Sequence, residues 1–169
     1  MIRRSTSADE AAVSELLELS YSQFLQNHYE PTIFAKVLPI ISRANPSLLT
    51  SGTYYLAEAR DGSIIGAGGW TKQAPGSGDR LAGVGHVRHF ATHPSWTGQG
   101  VGGAILNRCV EEARSSGVTR LQCFSGLNAV DFYAKLGFKA INPVDLPFGS
   151  DPETGNELSL KAMLMERQL

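Results

Sequence analysis

The chain has 169 residues, and its 15 Lys and Arg residues nearly balance its 16 Asp and Glu residues, for a formal net charge of −1 at pH 7. Such a balance leaves no basic surface for nucleic acids or anionic membranes, and no apolar run is long enough to span a bilayer. We therefore expect a single cytoplasmic domain over residues 1–169, with small molecules or a second copy of the chain, as a homodimer, as its partners.

Two helical patterns open the chain. Ser7–Glu10 fits a capping box, and the apolar residues that follow recur at helical spacing, so we expect an amphipathic helix over residues 8–26. A second helical pattern covers residues 32–43 and is interrupted by Pro39, which cannot continue the hydrogen-bond ladder of a helix.

The next segments predict strands. Strand-like runs at residues 53–59 and 63–70 are joined by Asp61-Gly62, a strong hairpin signal. A loop rich in Gly, Pro and Ser at residues 74–80 then precedes an apolar strand pattern over residues 84–92. These runs indicate neighbouring strands of one sheet.

Helices and strands alternate in the rest of the chain. The patterns are a glycine-rich loop, a helix from about residue 101 that ends at Gly117, a strand at 120–124, a helix at 128–136, a loop at 142–156 and a closing strand at 157–164. This order predicts an α/β (α+β) fold, a mixed sheet with helices on its faces. Cys109 and Cys123 fall in a helix and a strand without metal-ligand spacing, so we expect two buried thiols and no metal site.

The glycine-rich loop is the most informative segment. Four glycines between residues 98 and 103 separate a strand pattern from a helix pattern, an arrangement that presents unpaired backbone N–H groups and a helix N-terminus to an anion. The same letters fit the G-x-G-x-x-G fingerprint of dinucleotide-binding folds. However, the segment His93–Thr97 separates strand from loop, and the next strand ends in Ser125-Gly126, where that fold has an acidic residue for the ribose. The context therefore opposes a dinucleotide site.

Two motifs in order, the loop at residues 97–103 and Phe132–Phe138 with the letters FYAKLGF, resemble the GNAT superfamily of acetyl-coenzyme A-dependent N-acetyltransferases. The resemblance implies a mostly antiparallel twisted sheet with a splayed central strand pair, and acetyl-CoA as co-substrate. It also implies that the loop residues hold the pyrophosphate, and these residues are Thr97, Gly98, Gln99, Gly100, Val101, Gly102 and Gly103. Thr97 departs from the family, which usually has Arg or Gln at that position.

The resemblance also implies roles outside the loop. The backbones of Phe90, Ala91 and Thr92 would pair with the pantetheine arm, and Tyr133 would donate a proton to the departing thiolate. Phe132 and Tyr133 are adjacent on a helix, so one of them must leave the core, and we expect Phe132 to be the core member. Asn128 would contact the coenzyme, with capping of the following helix as the alternative.

A base for the acceptor amine is sought on the strand at residues 84–92. Alternation with a period of two places His86, Arg88, Phe90 and Thr92 on one face, and Val87, His89 and Ala91 on the other. Some family members carry a base six residues before the position of Thr92, which here is His86, and the ordinary pKa of histidine suits that role. The alternative for His86 is a surface or hydrogen-bonded structural histidine.

The resemblance therefore predicts direct transfer of an acetyl group from acetyl-CoA to a primary amine, without a covalent acyl-enzyme. An acyl-CoA-binding or sensing module without activity is the alternative, and a dinucleotide-dependent oxidoreductase is a more distant one. The first two helices and the loops at residues 74–80 and 142–156 carry no pattern that names the acceptor.

Overall fold

The architecture is one seven-stranded sheet flanked by helices, taken from a computed structural model that describes residues 1–169. The strands are β1 (Ile2–Arg4), β2 (Tyr54–Glu58), β3 (Ile64–Thr71), β4 (Val84–Thr92), β5 (Arg120–Gly126), β6 (Lys139–Ser150) and β7 (Glu157–Gln168). Their order in the sheet is β1-β2-β3-β4-β5-β7-β6, and β4–β5 is the one parallel pair. The expected mixed, mostly antiparallel sheet is confirmed.

Five α-helices accompany the sheet. They are α1 (Glu10–Phe24), α2 (Pro31–Ile41), α3 (Pro46–Leu49), α4 (Val101–Ser115) and α5 (Val130–Lys135). None of them combines the length and the apolar composition that a membrane span requires. The sheet separates two main apolar clusters, one beneath α4 that includes Ile105 and Leu121, and one beneath α1 that includes Leu17 and Leu56.

The parallel pair at the centre of the sheet is splayed, as expected. β4 and β5 are paired only from Val84 to His86 on β4 and from Arg120 to Gln122 on β5. Beyond these residues the two strands separate while β4 stays paired with β3 as far as Thr92. The free edges of β4 and β5 therefore enclose a wedge-shaped gap in the middle of the sheet.

A β-bulge in β4 changes which side chains share a face. Ala67 of β3 lies opposite Ala91, but Gly69, two residues on, lies opposite Arg88, so β4 carries one extra residue. The extra residue coincides with His89, whose φ of 46° is the one positive value outside glycine. Bulges of this kind reverse the alternation of the residues beyond them.

The predicted alternation along β4 is therefore wrong. Val87 and Phe90 both contact the cluster beneath α4, whereas Ala91 belongs to the cluster beneath α1. His86 and Arg88 alternate with Val87 and so lie on the α1 side, opposite to Phe90.

Three other expectations need correction. The capping box is formed by Thr6 and Asp9, one residue earlier than predicted, and a 3₁₀ turn at Ser7–Asp9 precedes α1. Pro39 lies inside α2 without interrupting it, because Phe34 and Val37 hold the helix by packing in the core. The predicted loop at residues 142–156 is largely strand β6, an exposed edge strand whose prolines and polar residues hide the strand pattern. The short elements β1 and α3 were not predicted.

Candidate active site

The gap between β4 and β5 opens into a cavity of about 440 Å³, which we call the central cleft. One end is lined by Thr92, Thr97, Gly102, Asn128 and Phe132, next to the glycine-rich loop. The other end is lined by side chains of α1, the segment after it, β6 and β7. The middle is formed by Phe90, Ala91, Cys123 and Tyr133.

The glycine-rich loop has the geometry of an anion cradle. None of the backbone N–H groups from Thr97 to Gly103 donates a hydrogen bond within the protein, and the first that does is Ala104, to Gly100 O at 2.9 Å. Gly98 and Gly100 have φ values of 73° and 82°, the left-handed region that favours glycine. No atom lies within 4 Å of the position of a Cβ on either residue, so the space above the loop is open. Free donors and a helix N-terminus facing open space fit a pyrophosphate.

The polar side chains of the loop are used locally. Thr97 Oγ1 donates a hydrogen bond to Pro94 O at 3.1 Å, and Gln99 Nε2 donates one to Ser95 O at 3.2 Å. Both bonds tie the loop to the 3₁₀ turn at Pro94–Trp96. The backbone N–H groups, including that of Val101, are therefore the donors that the loop leaves free for an anion.

Phe90, Ala91 and Thr92 lie along the cleft, on the part of β4 that β5 leaves unpaired. The strand is held in place from the α1 side, because Tyr21 Oη donates to Phe90 O at 3.3 Å and Tyr54 Oη donates to His89 O at 2.8 Å. An unpaired strand edge of this kind presents backbone groups to an extended ligand.

Tyr133 lies at the centre of the cleft. Its side chain is 6% exposed, and its ring meets Phe90, Phe132 and Phe138 edge to face. Its hydroxyl group makes no hydrogen bond to the protein. Every fully buried side-chain N or O atom of the protein has a hydrogen-bond partner, so this hydroxyl oxygen is not fully buried. Burial raises the pKa of Tyr133 well above its usual value, so the hydroxyl stays protonated. The cleft thus contains a free O–H donor.

The expected core member of the Phe132–Tyr133 pair is the wrong one. Tyr133 is buried in the cluster beneath α4, whereas Phe132 is partly exposed and packs over Gly102. Both rings line the cleft, and the wall of the cleft at this point is part of the cluster beneath α4, so neither ring has to leave the core.

Asn128 also borders the cleft. The N-cap residue of α5 is Ala129, which makes no side-chain capping bond, so Asn128 is not the helix cap. Its exposed side chain lies over Gly126, at the end of β5. This position leaves the amide available to a ligand.

The structure does not bring His86 to the cleft. The side chain is 7% exposed and lies where β4 is still paired with β5, below the point of separation. Burial, and then the charge of Arg88, lower the pKa of His86. Of the two histidines on β4 that flank Arg88, His89 is the one that lines the cleft, and burial lowers its pKa to about 4.

Several residues of the cleft were not predicted from the sequence as cleft residues. Most of them are apolar or aromatic: Tyr21, Phe24, Leu25, Tyr29, Ile41, Phe124, Leu146, Phe148 and Leu160. Tyr29 connects three segments, because its hydroxyl donates to Lys161 O at 2.8 Å and accepts from Leu127 N at 3.2 Å. No sequence signal distinguishes these residues from ordinary core residues. No group of three or more His, Cys, Asp or Glu side chains is placed to hold a metal ion.

Comparisons with known proteins agree with this geometry. A protein named IAA acetyltransferase from Azospirillum brasilense is 27% identical over 154 residues, which cover 89% of this chain and 91% of that protein. The PaiA N-acetyltransferase of Thermoplasma acidophilum, solved in complex with coenzyme A, superposes with a TM-score of 0.72 at 16% identity, covering 100% of this chain and 98% of that one. A GCN5-related N-acetyltransferase from Rhodopseudomonas palustris gives a TM-score of 0.73 at 18% identity, covering 100% of this chain and 95% of that one.

A match to a family model supports the assignment of this chain to a family more strongly than any single relative does. The model, described as the acetyltransferase (GNAT) family, matches residues 12–138, a range that begins in α1 and ends after α5. The match includes the glycine-rich loop and Tyr133. The chain belongs to the GNAT family of acetyltransferases, and is an acyltransferase whose co-substrate is acetyl-CoA.

Proposed function

We propose that this protein transfers an acetyl group from acetyl-CoA to a primary amine by direct attack, with Tyr133 as the proton donor to the departing thiolate. The observation that carries the proposal is the Tyr133 hydroxyl, a protonated donor without a protein partner on the wall of the gap between β4 and β5. The gap is where an extended pantetheine arm would pair with the free edge of β4.

The coenzyme would be held mainly by backbone groups. In this proposal the N–H groups from Thr97 to Gly103 bind the pyrophosphate, the backbones of Phe90, Ala91 and Thr92 bind the pantetheine arm, and Asn128 contacts the coenzyme from the opposite wall. Thr97 supplies its N–H group rather than its hydroxyl, which already donates to Pro94 O. This arrangement makes the loop conformation more important than any of its side chains.

The chemical step is balanced without a covalent enzyme intermediate. The lone pair of the neutral amine forms an N–C bond to the thioester carbonyl, and the C–S bond then breaks. The nitrogen loses one proton and the sulfur gains one, so an amide and a free thiol are formed. Tyr133 lends its proton to the sulfur and recovers one as the amide nitrogen is deprotonated, which stabilises the leaving thiolate.

The acceptor amine reaches the cleft as the neutral base. His86 lies outside the cleft, no Asp or Glu side chain lines it, and His89 has a pKa of about 4, too low to take a proton from an ammonium group. The apolar wall disfavours the charged ammonium form and so favours the reactive neutral amine. We therefore assign no base role to His86.

The function is tested by thiol release from acetyl-CoA with a panel of amines, combined with thermal shifts. Acetyl-CoA should raise the melting temperature and NADH should not. Stabilisation by NADH alone would favour the dinucleotide alternative.

A protein that binds acyl-CoA without turnover is the second candidate. It is favoured by the absence of a cleft base and by the Thr97 hydroxyl that is turned to Pro94. Stabilisation by acetyl-CoA without thiol release to any amine would support this candidate and exclude the proposed transferase.

A further inference from the structure

We propose that the acceptor is a primary amine that carries both an apolar body and a carboxylate, and that Arg88 binds this carboxylate. The inference rests on the proposed function, because it assigns the acceptor to the end of the central cleft that lies away from the glycine-rich loop. Three features support it: the apolar walls of the cleft, the basic side chains that line it, and the absence of a counter-charge for Arg88.

The walls at this end are apolar. Phe24 and Leu25 come from α1 and its C-cap, Ile41 from the end of α2, and Phe148 and Leu160 from the β6–β7 hairpin. The polar groups at this end include the hydroxyl groups of Ser20, Tyr21 and Tyr29, and those of the two tyrosines donate to backbone carbonyls. An acceptor with an aromatic or branched aliphatic side chain would therefore bury apolar surface here.

The side chains that can bring charge into the cleft near neutral pH are all basic. The cleft is lined by Arg88, His89 and Lys161, and by no Asp or Glu side chain. Lys161 has a counter-charge, because its Nζ lies 3.5 Å from Asp145 Oδ1, and water screens its charge, because both side chains are more than half exposed. His89 is neutral at pH 7. One positive charge without a counter-charge is left, that of Arg88.

Arg88 lies on β4 immediately before the bulge, on the side of the sheet that faces α1. Its guanidinium donates one hydrogen bond, to Thr71 Oγ1 at 2.9 Å, and forms no ion pair. The side chain is half-buried, so its charge is poorly solvated, and this burial lowers its pKa. A half-buried cation without a carboxylate costs folding free energy unless a ligand provides the counter-charge.

A carboxylate is the ligand that this group fits. A guanidinium presents parallel N–H donors that match the two oxygens of a carboxylate. Arg88 lines the cleft, and its donors other than the one bonded to Thr71 Oγ1 have no partner in the protein. A polyamine, in contrast, would bring further positive charge into a cleft that contains a cation and no anion. The cleft therefore favours an apolar amino acid over a polyamine.

The test uses four acceptors that differ in one property at a time. They are L-phenylalanine, L-phenylalaninamide, phenethylamine and spermidine. kcat/KM is measured by thiol release and expressed per neutral amine, because the amino groups differ in pKa. We expect L-phenylalanine to exceed the amide and phenethylamine at least about 10-fold, and spermidine to be the poorest acceptor.

Variants connect this preference to Arg88. In Arg88→Gln, kcat/KM for L-phenylalanine should fall about 10- to 100-fold while that for phenethylamine changes less than about 3-fold, and Arg88→Lys should recover part of the loss. Arg60→Gln, at an exposed arginine in the turn after β2, is the matched control and should retain the preference. The thermal shift with CoA verifies that each variant is folded.

A binding measurement separates this inference from the proposed function. With CoA present, N-acetyl-L-phenylalanine should raise the melting temperature of the wild type more than its amide does, and Arg88→Gln should abolish the difference. Transfer to amines with no preference for the carboxylate, or a preference that survives in Arg88→Gln, would overturn the inference and leave the transferase intact. No transfer to any amine, with neither product stabilising the protein, would overturn both.

Discussion

The ring of Phe90 lies directly on the backbone of Gly68. A Cβ atom on Gly68 would be 2.6 Å from Cδ2 and Cε2 of that ring, closer than real atoms approach. Gly68 is on β3, paired through Tyr55 with β2, and Phe90 follows the bulge of β4. The absence of a side chain at Gly68 therefore leaves room for the ring of Phe90, which packs edge to face with Tyr133.

Gly68→Ala should displace Phe90 and disturb the cleft. We expect a loss of about 1–3 kcal/mol in the free energy of unfolding, because the added Cβ collides with a rigid ring as far in as Cγ, which cannot move aside without repacking the wall of the cleft. Chemical denaturation measures this loss. In the double variant Gly68→Ala, Phe90→Ala the colliding atoms from Cγ onwards are removed, so the two effects should be less than additive. Strict additivity would show that the ring and the glycine are not coupled.

Tyr133→Phe should lower kcat about 100-fold, because it removes the proton donor while preserving the ring contacts. The dissociation constant of acetyl-CoA should change less than about 3-fold, and the melting temperature should stay within about 1 °C, since the hydroxyl makes no hydrogen bond to the protein. Steady-state kinetics, calorimetric titration and thermal melts measure the three quantities. Unchanged kcat would remove Tyr133 from the mechanism.

The pH dependence of kcat/KM should follow the acceptor rather than the enzyme. Activity should rise with pH until the pKa of the free acceptor amine is reached, and the midpoint should move when an acceptor with a different pKa is used. If His86 were the base, the midpoint would instead lie below the ordinary histidine pKa, because burial lowers the pKa of His86, and it would be the same for all acceptors. His86→Gln, studied with two acceptors, distinguishes these outcomes.

His89 should make the folded protein sensitive to acid. Its pKa falls from the ordinary 6.5 to about 4 on folding, so the folded state binds fewer protons than the unfolded state between these pH values. Stability is therefore complete above about pH 6.5 and is lost as the pH falls towards 4. His89→Asn removes the titration and tolerates the positive φ.

Denaturation of the wild type and His89→Asn at pH 7 and pH 4 measures this effect. The wild type should lose roughly 2 kcal/mol more than the variant over this interval. Parallel losses would assign the acid sensitivity to groups other than His89. Asp9 is not one of them, because its hydrogen bond to Arg3 lowers its pKa to about 2, below this interval.

Local sequence signals were sufficient where the function depends on backbone conformation. The glycines at residues 98–103 predicted a loop with free N–H groups, and the structure has it, with Gly98 and Gly100 in the left-handed region. The motif around Tyr133 likewise led to a residue that lies in the cleft. In both cases neighbouring residues in the chain determine the feature, so a short motif contains the necessary information.

The faces of β4 could not be predicted in the same way. An alternation with a period of two holds only if no residue is inserted, and one extra residue at His89 moves Phe90 and Ala91 to the faces opposite to those expected. The bulge is stabilised by contacts with other segments, including the bond from Tyr54 to His89 O. A histidine in a strand pattern gives no sign of it.

The sequence by itself determined the order of the main elements, the glycine-rich loop with its free N–H groups, and the family, because these follow from hydrophobic periodicity, glycine chemistry and two short motifs. Only the tertiary structure decided that His86 lies outside the cleft, that Tyr133 rather than Phe132 is buried, and that Arg88 has no counter-charge. These properties depend on segments far apart in the chain, which meet only when α1, β4 and the β6–β7 hairpin pack around the gap in the sheet.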